Sequence, residues 1–158
     1  MAARETTMAD NDAQELAGAW RLTSATMVIE AVDGQQEKRA MWSSGALLCD
    51  ASGRMAVLLT AANREAVNTE AGGSEAGHAA LYQSMLAYAG QRTVEDGQFI
   101  TKVDVASNPA WVGTEQVRFY KLTGDRLSLW TATSQPPMLD GKAVTGYMEW
   151  TRESRGDN

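Results

Sequence analysis

Gln116, Arg118 and Tyr120 stand at every second position of the segment Trp111–Leu122, a spacing that puts all three on one face of an extended chain. Val112 and Thr114 complete that face; Trp111, Gly113, Glu115, Val117 and Phe119 form the other. An amide, a guanidinium and a phenol held together can bind a carboxylate, an enolate or a carbonyl oxygen, because arginine offers several N–H donors in one planar fork. In an enzyme the same three groups would stabilise developing negative charge, with Lys102 or an inward carboxylate moving the proton. Glu115, Asp104 and Glu149 are the carboxylates concerned, and a solvated strand surface is the alternative place for each of them.

Residue counts close off other chemistries. With one histidine, His78, and one cysteine, Cys49, the chain cannot assemble a Cys/His zinc cluster, and no metal or cofactor is expected. His78 stands in the glycine-flanked start of an expected helix, where solvation is the plainer reading. Cys49 reads as a small core residue. The GGSEAG stretch ending at Gly77 lacks the strand–turn–helix context and spacing of a dinucleotide fingerprint. Fourteen Lys and Arg against twenty Asp and Glu give a net charge of -6, which attracts neither a phosphate backbone nor an anionic lipid surface.

The elements that must position these groups are those of one domain. A chain of 158 residues, 44% hydrophobic and 22% charged, has the composition of a single globular unit. The polar opening, residues 1–14, is expected to be flexible, with Met8 an alternative start; the domain proper is expected over 15–152 and a flexible tail over 153–158. The opening lacks the apolar run of a signal peptide, and no stretch reaches the roughly 20 apolar residues of a membrane helix. With a lone cysteine besides, a reducing cytoplasm is the expected location.

Period-two segments dominate. Ala19–Ala31 partly alternates and is rich in Thr, Val and Ile, Asp33-Gly34 supplies a turn, and Glu37–Trp42 extends further. Gly45–Asp50 and Arg54–Thr60 flank a small-residue reversal at Ser52-Gly53 and read as a hairpin. Residues 61–77 are small, polar and glycine-containing, as a connection would be. The period then changes: Leu81, Met85 and Tyr88 recur at helical spacing, with Ser74 as N-cap and Gly90 as stop, giving one amphipathic helix. Strands resume at 91–94, 99–105, 111–122, 126–132 and 144–152, with turns at Glu95-Asp96-Gly97 and Thr123-Gly124-Asp125. Roughly eight to ten short strands in meander order favour an up-and-down antiparallel barrel, whose interior is either filled by side chains or holds one small ligand.

Several local sequences resemble the lipocalin-like domain family of bacterial and fungal proteins. They are GAWRLTS from Gly18, SGALLCDASGRM from Ser44, AYAG from Ala87, NPAWVGTEQVR over Asn108–Arg118, LTGDRLSLWT over Leu122–Thr131, and EWTR from Glu149. They fall in family order across nearly the whole chain. The resemblance implies a mainly β fold, an antiparallel up-and-down lipocalin-like barrel with one amphipathic helix. It also implies a role among those of related barrels, which bind small apolar molecules or catalyse cyclisation and isomerisation in natural-product pathways. Where many members resemble a His-His-Val-Glu run, this chain has Thr101, Lys102, Val103 and Asp104, so the chemistry of those histidines does not carry over.

Trp20 and Arg152 resemble the lipocalin closure device, an arginine packed over a tryptophan at the closed barrel end. The resemblance emphasises Gln116 and Arg118, which favours their face as the lumenal one. Trp42, Met55, Tyr82, Met85, Tyr88, Trp111 and Trp130 are then candidates for an apolar, adaptable lining around that pair. Two functions follow as expectations. The first is a barrel that binds a small, largely apolar organic molecule. The second is a cofactor-free cyclase or isomerase for a polyketide- or terpenoid-like intermediate, using Arg118, Gln116, Tyr120 and Lys102. A partner-binding domain with a filled interior ranks below both, and homodimerisation through a sheet edge or the helix stays open.

Overall fold

A computed structural model of the chain describes residues 8–66 and 73–153. Its strands follow one another in a meander: β1 (Gly18–Glu30), β2 (Gln36–Ala40), β3 (Ser44–Cys49), β4 (Arg54–Thr60), β5 (Met85–Glu95), β6 (Gln98–Ala106), β7 (Glu115–Thr123), β8 (Arg126–Trp130) and β9 (Ala143–Arg152). All neighbours pair antiparallel, and β9 returns along β1, from Arg152 opposite Trp20 to Ala143 opposite Glu30. The sheet therefore closes on itself as an eight-stranded barrel of β1 and β3 to β9. β2 stands outside the ring, paired only with Thr26–Glu30 of β1, and all its residues are exposed.

Turn chemistry sets the register. Glu95 pairs with Gln98 across a two-residue reversal in which Asp96 and Gly97 both take positive φ, 50° and 74°. That is the hairpin geometry an Asp-Gly pair adopts most readily. In β1 the alternation breaks where Leu22 faces Trp150 but Ser24 faces Glu149. The extra residue, Thr23, donates its hydroxyl to the Glu149 carbonyl at 2.9 Å, and Leu22 and Ala25 both turn inward as a result.

The dense core occupies one end. Trp20, Trp150, Phe99, Leu16, Leu47 and Leu127 are fully buried there. Over it lies α1 (Met8–Glu15), in a segment whose polarity suggested fraying. The helix is held by partners that its own sequence does not announce. Leu16 just beyond it is completely buried, its carbonyl accepting from Trp20 Nε1 at 3.0 Å, and Arg92 Nη1 donates to the Ala13 carbonyl at 3.2 Å. The tail beyond Glu153 lies outside the described residues, as does part of the connection between β4 and β5.

α2 (Glu75–Gln83) starts where expected, with Ser74 Oγ accepting from Gly77 N at 3.0 Å. It ends at Ser84, well before Gly90, and buries none of its residues. Met85 and Tyr88 therefore belong to β5. Gly90 sits at a bulge of β5 against β6, where a β-carbon would come within 2.0 Å of the Lys102 carbonyl oxygen. Trp111 likewise lies off the strand expected to begin with it, in a single 3-10 turn, Pro109–Trp111, capped by Asn108. No helix among the described residues is long and apolar enough to cross a membrane.

Candidate ligand cavity

The barrel interior is filled at the α1 end, and beside that packing lies a cavity of about 200 Å³. Inward positions of successive strands build its wall: Leu47 of β3, Met55, Val57 and Leu59 of β4, Leu86 and Tyr88 of β5, Phe99 and Thr101 of β6, and Leu129 of β8. β9 contributes Gly146, Met148 and Trp150, and the chain between β2 and β3 contributes Met41 and Trp42. Trp111 reaches in from its 3-10 turn and packs against Tyr88, ring centroids 5.5 Å apart and planes tilted by 53°.

β7 supplies the polar element. Gln116 and Arg118 line the cavity, while Glu115 and Val117 between and beside them are exposed. The face carrying Gln116, Arg118 and Tyr120 is thus the inner one. Arg118 Nη1 donates to the Val117 carbonyl at 2.9 Å, and Nη2 lies 3.5 Å from Gln116 Oε1. Its Nε is buried with no hydrogen-bond partner, as is Trp150 Nε1. Burial pushes the Tyr88 phenol above its ordinary value, and the nearby charge of Arg118 opposes that rise.

Six of the expected lining residues meet at the cavity: Trp42, Met55, Tyr88, Trp111, Gln116 and Arg118. The others lie elsewhere. Tyr82 is an exposed residue of α2 that donates its hydroxyl to the Ser107 carbonyl at 3.0 Å. Met85 is half-buried in the first position of β5, outside the lining. Trp130 follows the inward Leu129 and so faces out, stacking on Phe119 with centroids 6.0 Å apart.

The four groups expected for catalysis are not brought together. Tyr120 shares the inner face with Arg118 but sits one step nearer the closed end, where its hydroxyl donates to Asp12 Oδ2 at 2.6 Å. Lys102 lies between the buried Thr101 and Val103 and is therefore exposed. Asp104 is also outside, ion-paired with Arg54; Glu149 accepts from Ser128 Oγ at 2.6 Å. His78 is an exposed residue of α2. Twelve lining residues, Trp150, Met148, Met41 and Thr101 among them, are not among those expected from the sequence. The signal for three of them was present, since Gly146, Met148 and Trp150 alternate along β9 in step with Arg152.

At the closed end, the Arg152 guanidinium lies 4.2 Å from the Trp20 ring centroid. It also donates to the carbonyls of Ala17 at 2.9 Å and Glu15 at 2.5 Å, and to Asp125 at 3.1 Å. Gly18 leaves room for this, since a β-carbon there would sit 3.2 Å from Arg152 Nη1. Arg92 is a second cation at this end and, unlike the partly exposed Arg152, is buried, 4% exposed; it donates to the Asp50 carbonyl as well as to Ala13. Cys49 is nearby and buried, and burial pushes its thiol up to about 11.

Comparison with known proteins gives this barrel a family. The model of the lipocalin-like domain matches residues 17–153, and the chain belongs to that family. The 4'-hydroxy-3'-methoxypropiophenone carrier protein ppsC of Aspergillus oryzae is 32% identical over 78 residues, covering 44% of this chain and 68% of that protein. Among solved structures, a lipocalin-like protein from Bacteroides uniformis aligns with 88% of this chain and 99% of its own at 12% identity and a TM-score of 0.41. A polyisoprenoid binding domain from Saccharophagus degradans aligns with 85% and 98% at 8% identity and a TM-score of 0.38.

Proposed function

We propose that this lipocalin-like domain binds one small, largely apolar organic molecule inside its barrel. The observation that carries the reading is the cavity of about 200 Å³, walled mainly by Met, Leu, Val and aromatic side chains, with Gln116 and Arg118 side by side on β7 and the hydroxyls of Thr101 and Thr131 as its polar groups. Ligand sites commonly combine an apolar wall with a few convergent polar groups that fix orientation. For scale, an apolar cavity of about 150 Å³ accepts benzene, so the space here suits one ring with short substituents. The relative from Aspergillus oryzae, named as the carrier of an aryl ketone, supports a ligand of that size and kind.

The test is a titration of the protein with single-ring aromatic compounds, read by tryptophan fluorescence and by melting temperature. Trp42, Trp111 and Trp150 line the cavity, so occupancy should perturb emission, and ligand at a hundredfold excess over Kd should add about 2.7 kcal/mol of stability. A panel that moves neither signal would sink the proposal. The reading as a cyclase or isomerase has less geometry behind it, because Lys102 and Tyr120 stand apart from Arg118 and Gln116.

A further inference from the structure

Three buried side-chain nitrogens among the described residues lack a hydrogen-bond partner: Arg92 Nε, Arg118 Nε and Trp150 Nε1. Two of the three belong to residues of the cavity wall. Both can only donate, for neither a guanidinium nor an indole nitrogen carries an acceptor lone pair. Leaving such a group buried and unpaired is costly, and an orphaned donor in a native fold asks for a partner.

The charge of Arg118 points the same way. Its only partners among the described residues are a carbonyl and an amide oxygen; the ion pairs there are made by Arg39, Arg54 and Arg152 instead. Around it the wall offers no carboxylate. Phe99 and Thr101 face it from β6, Leu129 from β8, Tyr88 from β5 and Trp111 from the 3-10 turn; of all the residues lining the cavity, only Tyr88 and Arg118 are titratable. A half-buried cation in an apolar chamber without a counter-ion sets up a positive potential there. The opposition of Arg118 to the rise of the Tyr88 phenol is that potential acting on a neighbouring group.

We infer that the cavity selects ligands bearing an ionised oxygen, a carboxylate or phenolate on a single-ring apolar body, with Arg118 as counter-ion. The inference rests on the lumenal binding site proposed above and adds the chemical class that site prefers. The apolar wall holds the ring, and the arginine fork distinguishes an anion from its neutral isostere by a charge-assisted bond. A phenol bound this way ionises more readily than it does in water.

The experiment compares 4-nitrophenol, titrated across its own ionisation, with the uncharged isostere 4-nitrotoluene, and benzoate with toluene, on the whole chain. Phenolate absorbance reports the ionisation state of bound 4-nitrophenol directly. The expected result is that at least one anion binds tenfold or more tightly than its isostere. If the phenolate does so, the pKa of the bound phenol falls by one unit or more; whichever pair shows the preference names the acid. Arg118→Met should abolish the preference, and Arg118→Lys should keep part of it. If the neutral isosteres bind as tightly as both anions, the charge inference is overturned while the lumenal site stands. If none of the four binds, both are overturned.

Discussion

The hydroxyl of Tyr120 and the carboxylate of Asp12 meet at 2.6 Å across 108 residues of chain, tying the inner face of β7 to α1. This bond explains why a phenol expected in the ligand site serves the closed end instead. It also makes alkaline stability a readout. The Tyr120 phenol is pushed up to about 12 from 10.0, first by burial, then by donating to Asp12 and by that carboxylate's charge. Because the folded value lies above the unfolded one, the contribution is complete below about pH 10 and is lost as pH climbs toward 12. Urea unfolding at pH 8 and pH 11 should show a drop for the native chain that is smaller in Tyr120→Phe. An equal drop in both would disconnect this phenol from the effect.

Arg152→Ala should destabilise the barrel by about 2–4 kcal/mol, since it removes a desolvated cation–π contact together with charge-assisted bonds to two carbonyls. Arg152→Lys should recover only part, because an ammonium cannot serve Ala17, Glu15 and Asp125 from one planar group. Chemical denaturation measures both.

Gly90→Ala should cost about 3 kcal/mol or more, or leave the chain unable to fold. The new methyl would lie 2.0 Å from a backbone oxygen of β6, which cannot rotate away as a side-chain tip could. The melting temperature of this variant beside Gly146→Ala, whose β-carbon meets nothing closer than 3.6 Å and whose backbone is not in the left-handed region, separates the clash from the general cost of losing a glycine.

Cys49 should resist thiol-specific reagents at pH 8 in the folded protein and react at once in denaturant. The side chain is 4% exposed and burial holds its thiol at about 11 against 9.0, so the reactive thiolate is scarce as well as covered. Rapid labelling without denaturant would contradict the placement of β3 in the core.

Val57→Phe should fill the cavity without breaking the barrel. Val57 lines the space and is itself buried, so the larger ring has a void to enter where a packed core would have none. The expected outcome is a melting temperature within a few degrees of native and at least a tenfold loss of affinity for single-ring ligands. Retained affinity would place the ligand elsewhere.

The hairpins were legible because their reversals need particular residues: Asp96-Gly97 takes a backbone conformation that most side chains resist. The start of β5 was not legible, and the reason is chemical. Its outward positions carry Ala87 and Ala89, while Leu86 and Tyr88 line the cavity, so both faces are apolar and the period of two is erased. What remained was the chance helical spacing of Leu81, Met85 and Tyr88. Ala46, Leu48, Ala56 and Leu58 continue this apolar outer face on β3 and β4. The candidate site shows a different limit. Alternation along β7 put Gln116, Arg118 and Tyr120 on one face, which they share. Height along the barrel axis follows only from pairing with β6 and β8, and that separated Tyr120 from the other two. Alternation likewise assigns Trp130 outward once Leu127 and Leu129 are known to be buried, a choice composition alone could not make.

The plug formed by α1, Trp20 and Arg152 makes the barrel a cup and not a pipe. A molecule bound in the lumen as proposed would leave by the end away from the plug, and a second one could not push it from behind. Exchange would then be sequential: the departing guest would clear the barrel before its replacement entered, and the residence time would be fixed by the occupant alone, however concentrated its competitor.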